Sequence, residues 1–189
     1  MKPFIKDIKL HFVTLLIFGI VFPLIIWLFS LGEPTSAFGN PIYKNGKIAG
    51  FENLGQNFHS DGYFWGRPSA VNYNAAATGG SNKSVSDSFY NATIQERIND
   101  FLKRNPGVKK EEIPSDIITA SGSGVDPHIS VQAAIIQIKR VAKARHLPEM
   151  EVTKIVIENI DPPLLGMFGT SKVNVLKLNL SLDSKTKEI

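Results

Sequence analysis

Apolar residues along this chain change rhythm twice, and the first stretch has no rhythm at all. Residues 12–31 form an uncharged run of 20, apolar on every face of any helix they could make. Such a helix rises about 30 Å at roughly 1.5 Å per residue, the thickness of a bilayer's hydrocarbon core. The run therefore reads as a membrane span, with Pro23 tolerated inside it and Trp27 suited to an interfacial anchor near its outer end. Further on, a helical period appears. Over residues 86–104, Phe89, Tyr90, Ile94, Ile98, Phe101 and Leu102 recur at helical spacing, and Asn105-Pro106-Gly107 stops the run. A second helix is predicted over residues 131–145 behind Ser130 as N-cap, with Val131, Ala134, Ile135, Ile138 and Ala142 as its stripe. A third follows Pro148 and turns Val152, Ile155 and Val156 inward. Two stretches carry strand signals. Asn45-Gly46, a pair that tolerates positive φ, sits between Ile42-Tyr43-Lys44 and Lys47-Ile48-Ala49 and predicts an opening β-hairpin. Leu176, Leu178, Leu180 and Leu182 alternate with Lys177, Asn179 and Ser181, which predicts a half-buried strand. The expected fold is α+β: one N-terminal transmembrane helix, then a single domain with helices packed on a small sheet.

Charge gives the span a direction. Lys2, Lys6 and Lys9 precede it, whereas the first basic residue after it is Lys44, with Glu33 lying closer. Positive charge stays on the cytoplasmic side. The expected order is a cytoplasmic N-terminus at residues 1–11, the span at 12–31, a juxtamembrane linker at 32–41 and an extracytoplasmic domain at 42–189. A cleaved signal peptide is the rival reading. It needs an apolar core of about 7–15 residues and a small-residue cleavage site, for which Thr35-Ser36-Ala37 is a poor match. Zero cysteines exclude a lipid-modified cysteine, a disulfide framework and a thiolate metal site. Setting aside the first 31 of 189 residues leaves 158, enough for one domain with a real core. That part carries 18 basic and 16 acidic residues, a net +2, which makes no case for nucleic acid. The sequons at Asn82, Asn91 and Asn179 read as chance.

Catalytic motifs fail in informative ways. Residues 119–128 read TASGSGVDPH and bring Ser, Asp and His together, but hydrolase triads are assembled from distant segments. Ser121 stands where a nucleophile elbow centred on Ser123 would need glycine. A turn-rich entry to the helix behind Ser130 is the better reading, with Asp126 as a cap and Pro127 as a stiffener. Asn82 replaces the glycine that a P-loop needs before Lys83-Ser84, and Thr78-Gly79-Gly80-Ser81-Asn82 reads as a loop. His11, His59, His128 and His146 show no metal-ligand spacing. Lys139, Arg140 and Lys143 with His146 form a basic face, read as solvated surface before any docking role. The segment YFWGRPSA at residues 63–70 is more unusual. Its Tyr63, Trp65 and Arg67 fit either a core-forming segment or a partner-facing patch, since these residue types are enriched at interface hot spots.

YFWGRPSA at 63–70, TGGSN at 78–82, TASGSGVDPHIS at 119–130, RVAKARHLP at 140–148 and VNVLKLNLSLD at 173–183 stand in this order behind a single membrane helix. Together they resemble the KdpC family, the C subunits of the Kdp potassium-transporting ATPase. The resemblance covers nearly the whole chain. It implies a non-catalytic accessory subunit in the plasma membrane of a bacterium. The implied partners are a potassium-translocating subunit, a P-type ATPase subunit and a small single-span subunit. It also implies a role as catalytic chaperone that raises the ATP affinity of the ATPase subunit. No cofactor is expected on this chain itself, ATP and Mg acting through the ATPase subunit. The lysines put the domain on the side away from ATP, so any effect on ATP affinity has to travel through the membrane subunits. A membrane-anchored ligand-binding or hydrolytic domain is the alternative. As an enzyme it lacks a defensible nucleophile, base pair or metal set, and as a free binding module it would not need so strong a membrane anchor.

Overall fold

The computed structural model describes residues 2–32 and 39–186. The chain divides into two compact units, Met1–Pro41 and Ile42–Ile189. Residues 33–38 of the linker expected at 32–41, and with them the cleavage candidate Thr35-Ser36-Ala37, lie outside the described residues.

The first unit is one helical rod in two α-helical pieces, α1 (Lys2–Leu16) and α2 (Phe22–Ser30), joined by a π-helical turn at Ile17–Val21. Pro23 explains the turn. Proline has no N–H and its ring clashes with the carbonyl four residues earlier, here that of Gly19. A wider turn accommodates the mismatch, and Phe22 N–H reaches back to the Ile17 carbonyl. Its polar side chains are satisfied locally: Thr14 donates to the Leu10 carbonyl at 2.8 Å and Ser30 to that of Trp27 at 2.7 Å. The helical stretch Phe4–Ser30 is 27 residues long, holds an unburied 18-residue window of mean hydropathy 2.7, and is long enough to cross a membrane.

The second unit is α+β. It opens with a two-stranded hairpin, β1 (Pro41–Lys44) and β2 (Lys47–Phe51), turned by Asn45 and Gly46 at φ 53° and 74°. Both positive angles match the turn chemistry predicted for Asn-Gly. Helix α3 (Ser88–Arg104) starts on the Asp87 carboxylate, which accepts from the N–H groups of Phe89 and Tyr90. A short antiparallel sheet of β3 (His128–Ser130), β5 (Lys172–Asn174) and β4 (Ile160–Asp161) has β5 in the middle, with Val173 opposite both Ile129 and Ile160. Helices α4 (Val131–Ile135), α5 (Ile138–Arg145), α6 (Glu149–Glu158) and α7 (Val175–Thr186) complete the unit. One core holds it together, centred on Phe64, Phe101, Val141, Val156, Val173 and Leu178.

Three expectations need correction. The alternating leucines are not a strand: residues 175–186 form α7. Its buried Val175, Leu178, Asn179 and Leu182 lie at i, i+3, i+4 and i+7, so the same residues satisfy a helical period. Leucine is a strong helix former, and Asn174 caps the start by accepting from Lys177 N–H at 3.1 Å. The helix predicted over 131–145 is broken at Ile136-Gln137, where Gln137 N–H bonds the Ala134 carbonyl three residues back. Ile135, just before that break, is 48% exposed. Phe89 is 83% exposed, because the first turn of α3 extends past the edge of the core. Ser130 does cap α4, accepting from Ala133 N–H at 3.1 Å, and Val152, Ile155 and Val156 of α6 are buried.

Candidate functional site

The segment at 63–70 has no regular secondary structure, and two buried amide side chains hold its backbone where a neighbouring strand would otherwise do so. Asn179 on α7 accepts from Phe64 N–H at 2.8 Å and donates to the Phe64 carbonyl at 3.0 Å. Gln137, ahead of α5, accepts from Trp65 N–H at 2.8 Å and donates to the Trp65 carbonyl at 3.3 Å and that of Ala133 at 2.9 Å. Both amides are essentially inaccessible, so each unmade bond would leave a buried polar group without a partner. Phe64 between them is fully buried.

Tyr63, Trp65 and Arg67 are half-buried, and each is fixed from the inside by a charged group. The Arg140 guanidinium lies 3.9 Å from the Trp65 ring centroid and that of Arg104 5.5 Å, while Phe101 meets the same ring edge-on. Arg145 stacks on Tyr63 at 4.5 Å. It also pairs with Asp183 at 2.7 Å, and Lys44 reaches the same carboxylate at 2.7 Å. Partial burial works to raise the Asp183 pKa, but the hydrogen bonds and charges of Lys44 and Arg145 outweigh it and hold the group below the usual carboxylate range. Arg67 pairs with Asp126 at 3.1 Å, and the Tyr73 hydroxyl donates to the Arg67 carbonyl at 2.7 Å. Burial likewise pushes Asp126 up. The His128 ring and N–H together with Arg67 overcome it and bring its pKa to about 2.

Arg140 is the least exposed Lys or Arg among the described residues of the domain. It donates to Asn105 Oδ1, to the carbonyls of Asp61 and Tyr63 and to Gln137 Oε1, at 2.6 to 3.0 Å, and among the described residues no carboxylate binds it directly. Burial lowers its pKa to about 10, with Asp61 opposing and Arg104 adding to the fall. It stays charged at neutral pH. Lys139, Arg140, Lys143 and His146, noted together in the sequence, line a surface cavity of about 760 Å³ with Lys103, Arg104 and Asp61.

The other motifs resolve into turns. Within 119–130, Ser121 Oγ accepts from Gly124 N–H, Ser123 Oγ from Val125 N–H and Asp126 Oδ1 from His128 N–H, while Gly124 adopts φ 71°. Among the described residues no serine hydroxyl bonds His128. The TGGSN loop lies on this segment, with Gly79 N–H on the Ser123 carbonyl at 2.8 Å. Asp116 completes the region by accepting from both the N–H and the hydroxyl of Ser130. Among the described residues no group of three His, Asp or Glu could hold a metal ion.

Sequence reasoning missed the two amides and Arg140's central place. Gln137 interrupts an apolar stripe, and Asn179 falls in phase with Val175, Leu178 and Leu182 only once the stretch is read with a helical period in place of a strand; a polar residue in phase with a buried helical face was the available signal. The comparisons then decide the family. The profile described as "K+-transporting ATPase, c chain" matches residues 4–184.

The chain belongs to the KdpC family.

It is 48% identical over 183 residues to the potassium-transporting ATPase KdpC subunit of Flavobacterium psychrophilum, covering 97% of this chain and 98% of that one. Identity is 47% to the KdpC subunit of Caldanaerobacter subterraneus subsp. tengcongensis, over 97% and 95% of the two chains. For that of Phocaeicola vulgatus it is 43%, over 97% and 98%. The similarity runs through the apolar helix and the domain alike, so the clamped segment, the turn-rich loop and all but the last two residues of α7 lie inside the KdpC match.

Proposed function

We propose that this chain is a non-catalytic subunit of a bacterial ATP-driven potassium uptake complex. In this reading it assembles with a potassium-translocating subunit, a P-type ATPase subunit and a small single-span subunit. The observation that carries the reading is its similarity, over nearly its whole length, to proteins named potassium-transporting ATPase KdpC subunit. Residues 12–31 anchor it in the plasma membrane, residues 1–11 stay in the cytoplasm with their three lysines, and the domain from residue 42 lies outside. Its contribution is to stabilise the complex and to raise the ATP affinity of the ATPase subunit. ATP and Mg bind that subunit, and this chain acts on them through the membrane-embedded parts, by favouring one of two states of the transporter.

The test is gentle purification of the full-length chain from membranes. The ATPase and potassium-translocating subunits should come with it, and recovery of the chain alone would sink the assembly role. The KM for ATP of the complex should rise when the chain is omitted and return when it is added back. An unchanged KM removes the chaperone role and leaves assembly standing. A reporter that works only in the cytoplasm, fused after Ile189, should stay silent in intact cells; strong activity there reverses the orientation.

A further inference from the structure

The cavity between the end of α3 and the outer face of α5 collects positive charge with little to balance it. Lys103 and Arg104 stand in the last turn of α3, and Lys139, Arg140 and Lys143 come from α5. Among the described residues, Lys103, Lys139 and Lys143 make no ion pair or hydrogen bond. Asp61 is the one carboxylate in the lining, and it is engaged with Arg104 at 3.5 Å. Arg104 is also shared with Asp100 at 3.5 Å. Beside the lysines sits Arg140, whose charge is met by carbonyl and amide oxygens and the Trp65 face and, among the described residues, by no direct carboxylate. Like charges gathered around a concave, partly desolvated surface repel one another and draw in an anion.

We propose that this cavity is a binding site for a phosphate-class oxyanion, carried by a free phosphate compound or by a lipid headgroup. The lysines supply three mobile point charges, and Arg104, shared at 3.5 Å with Asp61 and Asp100, adds a further positive charge at the rim. Arg140 does not bind the anion through its own N–H groups, which are taken; it provides a fixed positive floor. At about 760 Å³ the cavity leaves room for the group to which the phosphate is attached. This site is independent of the assembly role, because it rests on side chains of this chain alone.

Thermal unfolding of the full-length chain in neutral detergent tests the free-phosphate arm, with pyrophosphate compared with chloride at matched ionic strength. Reconstitution in phosphatidylcholine nanodiscs with or without phosphatidylglycerol tests the lipid arm. A rise in Tm of about 3 °C or more is expected in at least one arm, as ligand binding only to the folded state stabilises it. The double variant Lys139→Gln, Lys143→Gln should lose the rise. Lys154→Gln, a solvent-exposed change on α6, should keep it. Without the anion the double variant should melt at or above the parent temperature, since removing like charges relieves repulsion. A rise confined to pyrophosphate assigns a free phosphate compound, and one confined to phosphatidylglycerol assigns a lipid headgroup. No rise in either arm overturns the site, as does an equal rise in the double variant. A ligand-free double variant that melts lower would show that the lysines are structural and would also overturn it.

Discussion

Two glycines show how little room a single position leaves. A Cβ on Gly55 would lie 2.5 Å from the Asp126 carbonyl oxygen and 2.9 Å from its carbon, and backbone cannot move aside as a side-chain end can. On Gly124 it would meet Val71 at 2.5 Å and the Gly79 carbonyl at 2.7 Å, at a φ of 71° that alanine adopts only with strain. Gly55→Ala and Gly124→Ala should each destabilise the domain by about 2–3 kcal/mol, measured by denaturant unfolding of the full-length chain; an unchanged midpoint would sink the close-packing account. Gly124 was legible in the sequence as part of a turn-rich stretch. Gly55 was not, because its neighbour is 71 residues away and no local pattern announces such a contact. Beside them, Asp126 sets a pH dependence. Its folded pKa of about 2 lies below the ordinary 3.8, so its stabilisation is complete above about pH 4 and is lost as pH falls toward 2. Asp126→Asn should cost about 1–2 kcal/mol at pH 7, allowing for solvent screening of this partly exposed pair, and the gap from the parent should close as pH approaches 2. A gap that stays constant over that range would refute it.

Among elements, α7 carries the clearest lesson. Leucine at every second position fits a strand, yet Val175, Leu178, Asn179 and Leu182 fit a helix equally well. Periodicity alone cannot separate the two over so short a run, and leucine's helix propensity together with the Asn174 cap tips the balance. The hairpin and the helices at 88–104 and 149–158 were legible because their turn or cap residues were local. The break at Gln137 was not, because its reason lies across the domain at Trp65. The amide clamp is likewise a non-local device. Asn179→Leu keeps the branched shape, though not the smaller volume, and the helix, but strands the N–H and carbonyl of buried Phe64. It should destabilise the domain by about 2–4 kcal/mol despite adding an apolar side chain to an apolar face. If calorimetry finds the variant as stable as its parent, the amide is a bystander.

At the scale of the whole molecule, the clamped segment has to be reconciled with a chain that works in an assembly. We propose that the outward edges of Tyr63, Trp65 and Arg67 belong to the surface that meets the potassium-translocating subunit. Their inner faces are held by Arg145, Arg140 and Asp126 respectively, so they would enter a contact with little rotamer freedom left to lose. This placement makes the simplest experiment ambiguous. Trp65→Ala would remove an aromatic packed on the core and should lower the melting temperature whether or not the segment docks, since such truncations cost about 3–5 kcal/mol in cores. Trp65→Phe separates the two roles. It keeps a ring for Arg140 and Phe101 but gives up the outer ring and the Nε1–H that bonds the Ser60 carbonyl at 3.0 Å. The expected result is a melting temperature within a few degrees of the parent, together with clear loss of the potassium-translocating subunit on co-purification. Arg67→Lys adds a second reading, because lysine can still pair with Asp126 but lacks the planar fork for a desolvated contact. If both conservative variants retain the partner in full while Trp65→Ala merely unfolds the domain, the segment is structural and the partner docks elsewhere.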